Sequence, residues 1–186
     1  MKKINLLNLF VKHGLGPRVG IRSEGERVAV DVMEELKKIP EKELLIADFK
    51  GVEVFSHSFA DEVIARPLLR LVNQEYGDKY FAVLMANDEL RVDLDEALKR
   101  RDIAIIRFRD EELKTWEVLG VTNNQDTLKI ISDHGPISTG EVAEKMGNQS
   151  IQACSNRVVE LGRLRLIRRE RIVGERGVKF ENEFIR

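Results

Sequence analysis

The stretch Glu43-Leu-Leu-Ile-Ala-Asp-Phe-Lys-Gly-Val-Glu-Val-Phe-Ser-His-Ser-Phe-Ala-Asp-Glu-Val63 decides how the first two thirds of the chain fold. Leu44, Leu45, Ile46 and Ala47 make a short apolar run that stops at Asp48, the signature of a buried strand. Lys50-Gly51 supplies a turn, Val52, Val54 and Phe55 return to apolar character, and Ser56-His57-Ser58 opens a helix near Phe59. Strand, tight loop and helix set polar loop residues at the carboxyl end of a sheet strand. Ser58 is the expected N-cap, its hydroxyl taking a free amide of the first turn. Asp61 and Glu62 suit the positive end of that helix.

The same alternation extends in both directions. On the N-terminal side, residues 4–11 are apolar enough for a first strand, and residues 13–20 read as a turn feeding a short second strand. Gly14, Gly16 and Gly20 lie in that turn. The third glycine is one residue late for the dinucleotide-binding fingerprint and no helix starts on it, so the turn reading stands. Ser23 with Glu26 is a capping-box pair ahead of Val28, Val32, Met33 and Leu36 at helical spacing, and Pro40 closes the helix.

On the C-terminal side, the helix from Phe59 carries Val63, Ile64, Leu68, Leu71 and Val72. A kink or break is expected at Pro67, with Pro67 opening the second piece. Residues 79–86 read as a buried strand and Asn87-Asp88 as the cap of a helix to about Arg101. Residues 103–108 read as another strand and 110–119 as a last helix. Strands alternating with helices imply an α/β domain, a mostly parallel sheet with helical cover.

Gly120-Val-Thr-Asn-Asn-Gln125 is the one sensible boundary, giving domains 1–120 and 121–186. Thr122 with Gln125 is a second capping-box pair, and Leu128, Ile130 and Ile131 give a helix that ends at His134-Gly135-Pro136. Ser138 with Glu141 caps a short helix through Met146, and Asn148 or Ser150 caps a third from Ile151 to about Leu161. Two runs follow, 164–173 and 178–184, joined by Gly174-Glu-Arg-Gly177, a hairpin signal.

The chain has 186 residues, 42% hydrophobic, with a mean hydropathy of −0.28, enough apolar material for a globular core. No apolar run reaches membrane-spanning length and the N-terminus lacks a signal-peptide core, so a cytoplasmic location without membrane contact is expected. The single cysteine, Cys154, excludes an internal disulfide framework, and no Cys/His cluster suits zinc. No metal or cofactor is expected. The net charge of −1 hides an asymmetry. Residues 1–120 hold 20 Lys/Arg against 23 Asp/Glu, and residues 121–186 hold 11 against 9. Within 163–179 there are 7 basic residues and 2 acidic ones, a patch of the kind that attracts phosphate backbones.

The run LLIADFKGVEVFSHSFADEV resembles the central segment of STAS domains. More closely, it resembles a bacterial and archaeal STAS-like family of unknown function, marked by an Asp-Phe strand end and Ser-Phe-Ala-Asp-Glu. Those marks stand here as Asp48-Phe49 and Ser58-Phe59-Ala60-Asp61-Glu62. In the related anti-sigma factor antagonists an Asp-Ser-Ser-Gly loop carries the serine that a partner kinase phosphorylates. Laid on this chain, that loop becomes Ser56-His57-Ser58-Phe59, with Ser58 at the phosphorylated position and the aspartate, first serine and glycine replaced. The resemblance implies partner exchange with a serine-kinase-type ATPase or other regulatory protein, through Ser56, His57, Ser58, Asp61 and Glu62. A phosphate on Ser58 would be favoured by the helix N-terminus and repelled by Asp61 and Glu62. Plain helix capping by Ser58 is the alternative.

Residues 123–186 resemble a winged helix-turn-helix, on the marks ISTGEVAEKMGNQSIQACSNRVVELGRLRLIRRE. At 100° per residue, Ile151, Cys154, Val158 and Leu161 share one face of the third helix and are expected to pack inward. Gln149, Gln152, Ala153 and Asn156 then face outward, with Glu160 further along. Asn and Gln amides match adenine edges, and a small alanine fits a thymine methyl. Arg157, Arg163, Arg165, Arg168, Arg169, Arg171, Arg176 and Lys179 are the expected phosphate contacts, with Arg176 at the hairpin tip. Homodimerisation fits paired half-sites on double-stranded DNA.

These readings converge on a cytoplasmic transcription regulator of prokaryotic type, a partner-binding STAS-like domain joined to a DNA-binding winged helix. A protein-interaction adaptor of a partner-switching system, without DNA binding, is the alternative. An enzyme is a third class, because a Ser/His pair suggests nucleophilic catalysis. Adjacent residues rarely aim at each other and no oxyanion motif surrounds them, so no catalytic residue is assigned. Cys154, on the inward stripe, is a core residue rather than a redox sensor, and His13 and His134 sit in turns.

Overall fold

The computed structural model describes residues 1–147, 149–174 and 177–186. The chain divides into two compact units, Met1–Val121 and Thr122–Arg186.

The first unit runs β1 (Lys2–Asn5), α1 (Leu6–Lys12), β2 (Arg18–Val19), α2 (Arg22–Lys38), β3 (Leu44–Asp48), β4 (Val54–Phe55) and α3 (His57–Ala60). A π-helical turn (Asp61–Ala65) leads into α4 (Arg66–Val72), then β5 (Tyr80–Leu84), α5 (Glu89–Lys99), β6 (Ala104–Phe108) and β7 (Trp116–Gly120). Its sheet has the order β1-β3-β5-β6-β7, parallel except for β7, and β2 pairs with β4 separately. With right-handed crossovers, this in-line order carries the connecting helices to one face of the sheet. Alternate strand residues Leu45, Ala47, Phe81, Val83 and Ile105 accordingly share a core with Val28, Val32, Leu36, Phe59, Ile64 and Leu94 of the helices. Phe59 is the hub, edge-to-face with Phe10 at 5.2 Å and with Phe55 at 5.7 Å.

Three local expectations are corrected. Residues 4–11 are only partly strand. Asn5 caps α1, its Oδ1 accepting from Asn8 N at 3.0 Å, and Leu6 and Phe10 bury at helical spacing. Residues 110–119 are a turn and an antiparallel strand instead of a helix. The Asp110 carboxylate accepts from Lys114 N (3.0 Å) and Thr115 N (2.6 Å), which reverses the chain into β7. Ser23 does not cap α2, because Arg22 is already helical and the capping position falls on Ile21. Pro67 does open the second helical piece. The disruption ahead of it is absorbed by the π-helical turn, where Arg66 N bonds Asp61 O.

The second unit runs α6 (Gln125–His134), β8 (Ile137–Ser138), α7 (Thr139–Lys145), α8 (Ile151–Arg163), β9 (Ile167–Gly174) and β10 (Gly177–Phe184). The strands form an antiparallel sheet in the order β8-β10-β9. The Ser138/Glu141 capping box forms, and Ser150 caps α8 by accepting from Ala153 N at 3.2 Å. The Thr122/Gln125 box does not form. Asn124 takes the capping position of α6 and Thr122 Oγ1 accepts from Asn124 N at 3.2 Å. Leu128, Ile131, Val142, Cys154, Val158 and Leu161 close the core. Buried Asn182 donates to Ile137 O at 3.0 Å and ties β8, a strand the sequence did not announce, to β10.

Candidate functional site

The β2–β4 pairing brings Gly20 against the Ser56-His57-Ser58 loop. Ser56, not Ser58, is the N-cap. Its Oγ accepts from Phe59 N at 3.3 Å and donates to Gly20 O at 2.7 Å. Ser58 Oγ, one step inside the helix, donates to the same carbonyl at 3.1 Å and lies 3.2 Å from Ser56 Oγ. The capping position moves because α3 begins at His57, whose amide donates to Asp93 Oδ1 at 3.1 Å. The His57 ring reaches neither hydroxyl, and its Nε2 is buried without a hydrogen-bond partner among the described residues. A nucleophile-and-base pair is therefore not assembled here.

Asp61 and Glu62 turn inward, away from the loop role read in the sequence. Their exposures are 8% and 3%. Arg101 grips Asp61 with two bonds, Nε–Oδ1 2.6 Å and Nη2–Oδ2 2.9 Å, and Arg22 adds a third at 3.2 Å. Arg22 also bonds Glu62, whose other oxygen accepts from Arg66 at 2.8 Å. Burial raises the Asp61 pKa, but the Arg101 and Arg22 guanidiniums outweigh it and hold the carboxyl below its usual value. The pair locks α2, the π-helical turn and the end of α5 together.

At the carboxyl ends of β3 and β5 lies a cavity of about 320 Å³. Phe49, Val52, Leu84 and Leu90 supply apolar walls, and Asp48, Lys50, Asn87, Arg109 and Glu111 supply polar groups. Asp48 Oδ1 accepts from Lys50 N at 2.9 Å to shape the loop. Gly51 is obligatory at φ +88°, where a Cβ would meet Leu7 Cδ2 at 2.7 Å. Next to the cavity, wholly buried Arg107 donates to Met85 O (2.8 Å) and pairs with Glu117 and with Asp88 (2.7 Å). Asp88 also takes Arg109 at 2.9 Å, and Glu117 takes Arg91 at 3.4 Å. No local pattern in the sequence announces this cavity or the arginine cluster beside it. The separate signals, Asp48-Phe49 and Arg107/Arg109, sit about sixty residues apart.

In the second unit, α8 buries Cys154, Val158 and Leu161, while Ile151 is 65% exposed and does not join them. Ile151 lies at the first position of α8, beyond the core that the later turns cover. Gln149, Gln152 and Asn156 are exposed, and Gln152 donates to Asn156 at 3.4 Å, lining up one turn apart. Arg157 is half-buried, with Nη1 3.7 Å from Met146 Sδ. Arg163 forks onto Glu160 at 2.9 and 2.7 Å, and Arg165 sits in the bend after α8 at φ +61°.

The hairpin register sorts the remaining cations by face. Arg168, Glu170, Lys179, Glu181 and Glu183 share one face, with Arg168–Glu183 at 3.3 Å and Lys179–Glu181 at 2.8 Å. Arg169 and Arg171 share the other with Phe180, Asn182, Ile167 and Phe184, the last three buried against the helices. Arg169 stacks on Phe180 with its guanidinium carbon 3.9 Å from the ring centroid, and Arg171 stands exposed. The helix side of the hairpin thus carries two arginines and no carboxylate among the described residues. The expected tip contact, Arg176, and the alternative cap, Asn148, lie outside the described residues.

Among the described residues, no helix is long and apolar enough to cross a membrane and no cluster of three His, Cys, Asp or Glu suits a metal ion. Comparison with protein-family models, curated proteins and solved structures returns no significant match.

Proposed function

We propose that the chain is a two-domain cytoplasmic regulator. In this reading Thr122–Arg186 is a winged helix-turn-helix that binds duplex DNA, and Met1–Val121 is a STAS-like domain that takes a signal through a protein partner. The order helix, strand, two helices, two strands in the second unit supports the winged reading. The observation that carries it is α8. Its buried stripe leaves Gln152 and Asn156 exposed one turn apart in the N-terminal half of the helix, the half of a recognition helix that meets base edges, with exposed Gln149 just ahead of its Ser150 cap.

Selection of duplexes from a random pool, followed by anisotropy titration of the winner and a scrambled control, tests this. Retained duplexes with a base preference that Gln152→Ala erases support the reading. Failure to retain any duplex at low salt leaves the second unit as a protein-docking module, the adaptor alternative. On the partner side, a serine-kinase-type ATPase is the proposed partner and Ser58 the acceptor. Intact mass after incubation with kinase and ATP should rise by one phosphate in the wild type and not in Ser58→Ala. Homodimerisation of the DNA-bound form would appear as a second protomer bound to a paired half-site duplex.

A further inference from the structure

The charge around the cavity at the ends of β3 and β5 does not balance. Arg91, Arg107 and Arg109 share two carboxylates, Asp88 and Glu117, which leaves one positive charge over. Arg107 is wholly buried and fully engaged, so the surplus falls on Arg109, which is 44% exposed and lines the cavity. Only its Nη2 is engaged by a side chain; its Nε and Nη1 have no partner among the described residues. Lys50, also in the lining, makes no ion pair among the described residues, while Glu111 pairs with Lys3 and is held below its usual pKa chiefly by Lys3, with a smaller pull from Lys50. Asp48 offsets one of these charges and already spends an oxygen on the Lys50 amide. The four charged lining residues cancel, and with their ion-pair network (Lys3, Arg91 and Arg107 against Asp88 and Glu117) the site carries one net positive charge beside walls of Phe49, Val52, Leu84 and Leu90.

We propose that this cavity binds a small organic anion, a carboxylate or phosphate on an apolar body about the size of one aromatic ring, with the anionic group between Lys50 and Arg109. The volume, about 320 Å³, lies at the low end of small-molecule pockets. Charge-assisted hydrogen bonds from a guanidinium and an ammonium fix the head, and the apolar walls fix the body. Binding here requires neither DNA binding by the second unit nor phosphorylation of Ser58.

The test is a titration of the full chain, followed by amide ¹H–¹⁵N spectra, with 3-phenylpropionate and phenyl phosphate as anions. 3-Phenylpropanol and 3-phenylpropylamine are the neutral and cationic controls. Saturable shifts of Lys50, Gly51, Asn87 and Leu90 are expected with one or both anions, telling carboxylate from phosphate. The alcohol should bind about ten-fold more weakly and the amine not at all. Arg109→Gln with Lys50→Gln should weaken the anion about ten-fold at unchanged spectral dispersion. Lys50→Gln alone, on an exposed turn, serves if Arg109→Gln disturbs Asp88. Equal binding of acid and alcohol, shifts confined to other residues, or no saturable shift at millimolar anion would overturn the proposal.

Discussion

Asp61-Glu62 in the first unit and the basic run 163–179 in the second unit share one pattern as sequence, dense charge beside a helix end. They end in opposite states. The two carboxylates are nearly sealed and answered by three arginines. Arg171 stands in solvent on a face without a carboxylate among the described residues, and Arg163 and Lys179 make ion pairs with the half-exposed Glu160 and Glu181. A sealed pair that has lost its water is committed to the fold, and removing one side strands the other. A surface pair is worth about 0–1 kcal/mol and yields readily to a phosphate. Burial, more than charge density, separates the structural cluster from the available one.

Four predictions sharpen that contrast, and the first unit can be followed alone because Trp116, in β7, is the chain's single tryptophan. Arg22→Ala with Arg66→Ala leaves Glu62 buried without its two partners. It should cost about 3–5 kcal/mol in urea unfolding read by Trp116 fluorescence. A loss under about 1 kcal/mol would mean the network is as dispensable as a surface pair. Arg107→Leu removes the donor to Met85 O and leaves Glu117 and Asp88 with one arginine each, Arg91 and Arg109, and with some access to water. About 2–3 kcal/mol should be lost by the same measurement.

Ser56→Ala should cost about 1 kcal/mol and Ser58→Ala no more than about 0.5, since only the first hydroxyl caps the helix. The reverse order would return the cap to Ser58. The smallest effect is with pH. Asp61 has a lowered pKa in the folded chain, so its contribution is present above the ordinary aspartate value of about 3.9 and fades as pH falls through the folded value. Stability of the first unit should therefore decline below about pH 4, less steeply in Asp61→Asn than in wild type.

The parts legible in the sequence were those set by local pattern. β3, β5 and β6 are short apolar runs buried on both sides, and the Ser138/Glu141 box announced α7. Residues 6–11 were ambiguous because Leu6, Leu7, Leu9, Phe10 and Val11 satisfy a strand or a helix stripe equally. Asn5, whose capping bond decided it, reads as an ordinary polar residue. β7 was hidden because the reversal depends on the Asp110 side chain bonding amides four and five residues on. The arginines on Asp61 come from about forty residues to either side, and no local signal names them. The hairpin faces were legible in principle. Ile167 and Phe184 fix which alternate residues face the helices, and Arg169 and Arg171 follow from period two.

The contrast is tested most directly by duplex-DNA anisotropy across a salt series, comparing wild type, Arg171→Glu and Arg168→Glu. If the helix side of the hairpin is the phosphate-facing one, Arg171→Glu weakens binding to every sequence and lowers the slope of log K against log salt by about 1. Arg168→Glu, on the acid-balanced face, then leaves slope and affinity near wild type. Equal losses in the two variants, or no salt-dependent binding by wild type, would contradict the assignment of the available charge to that face.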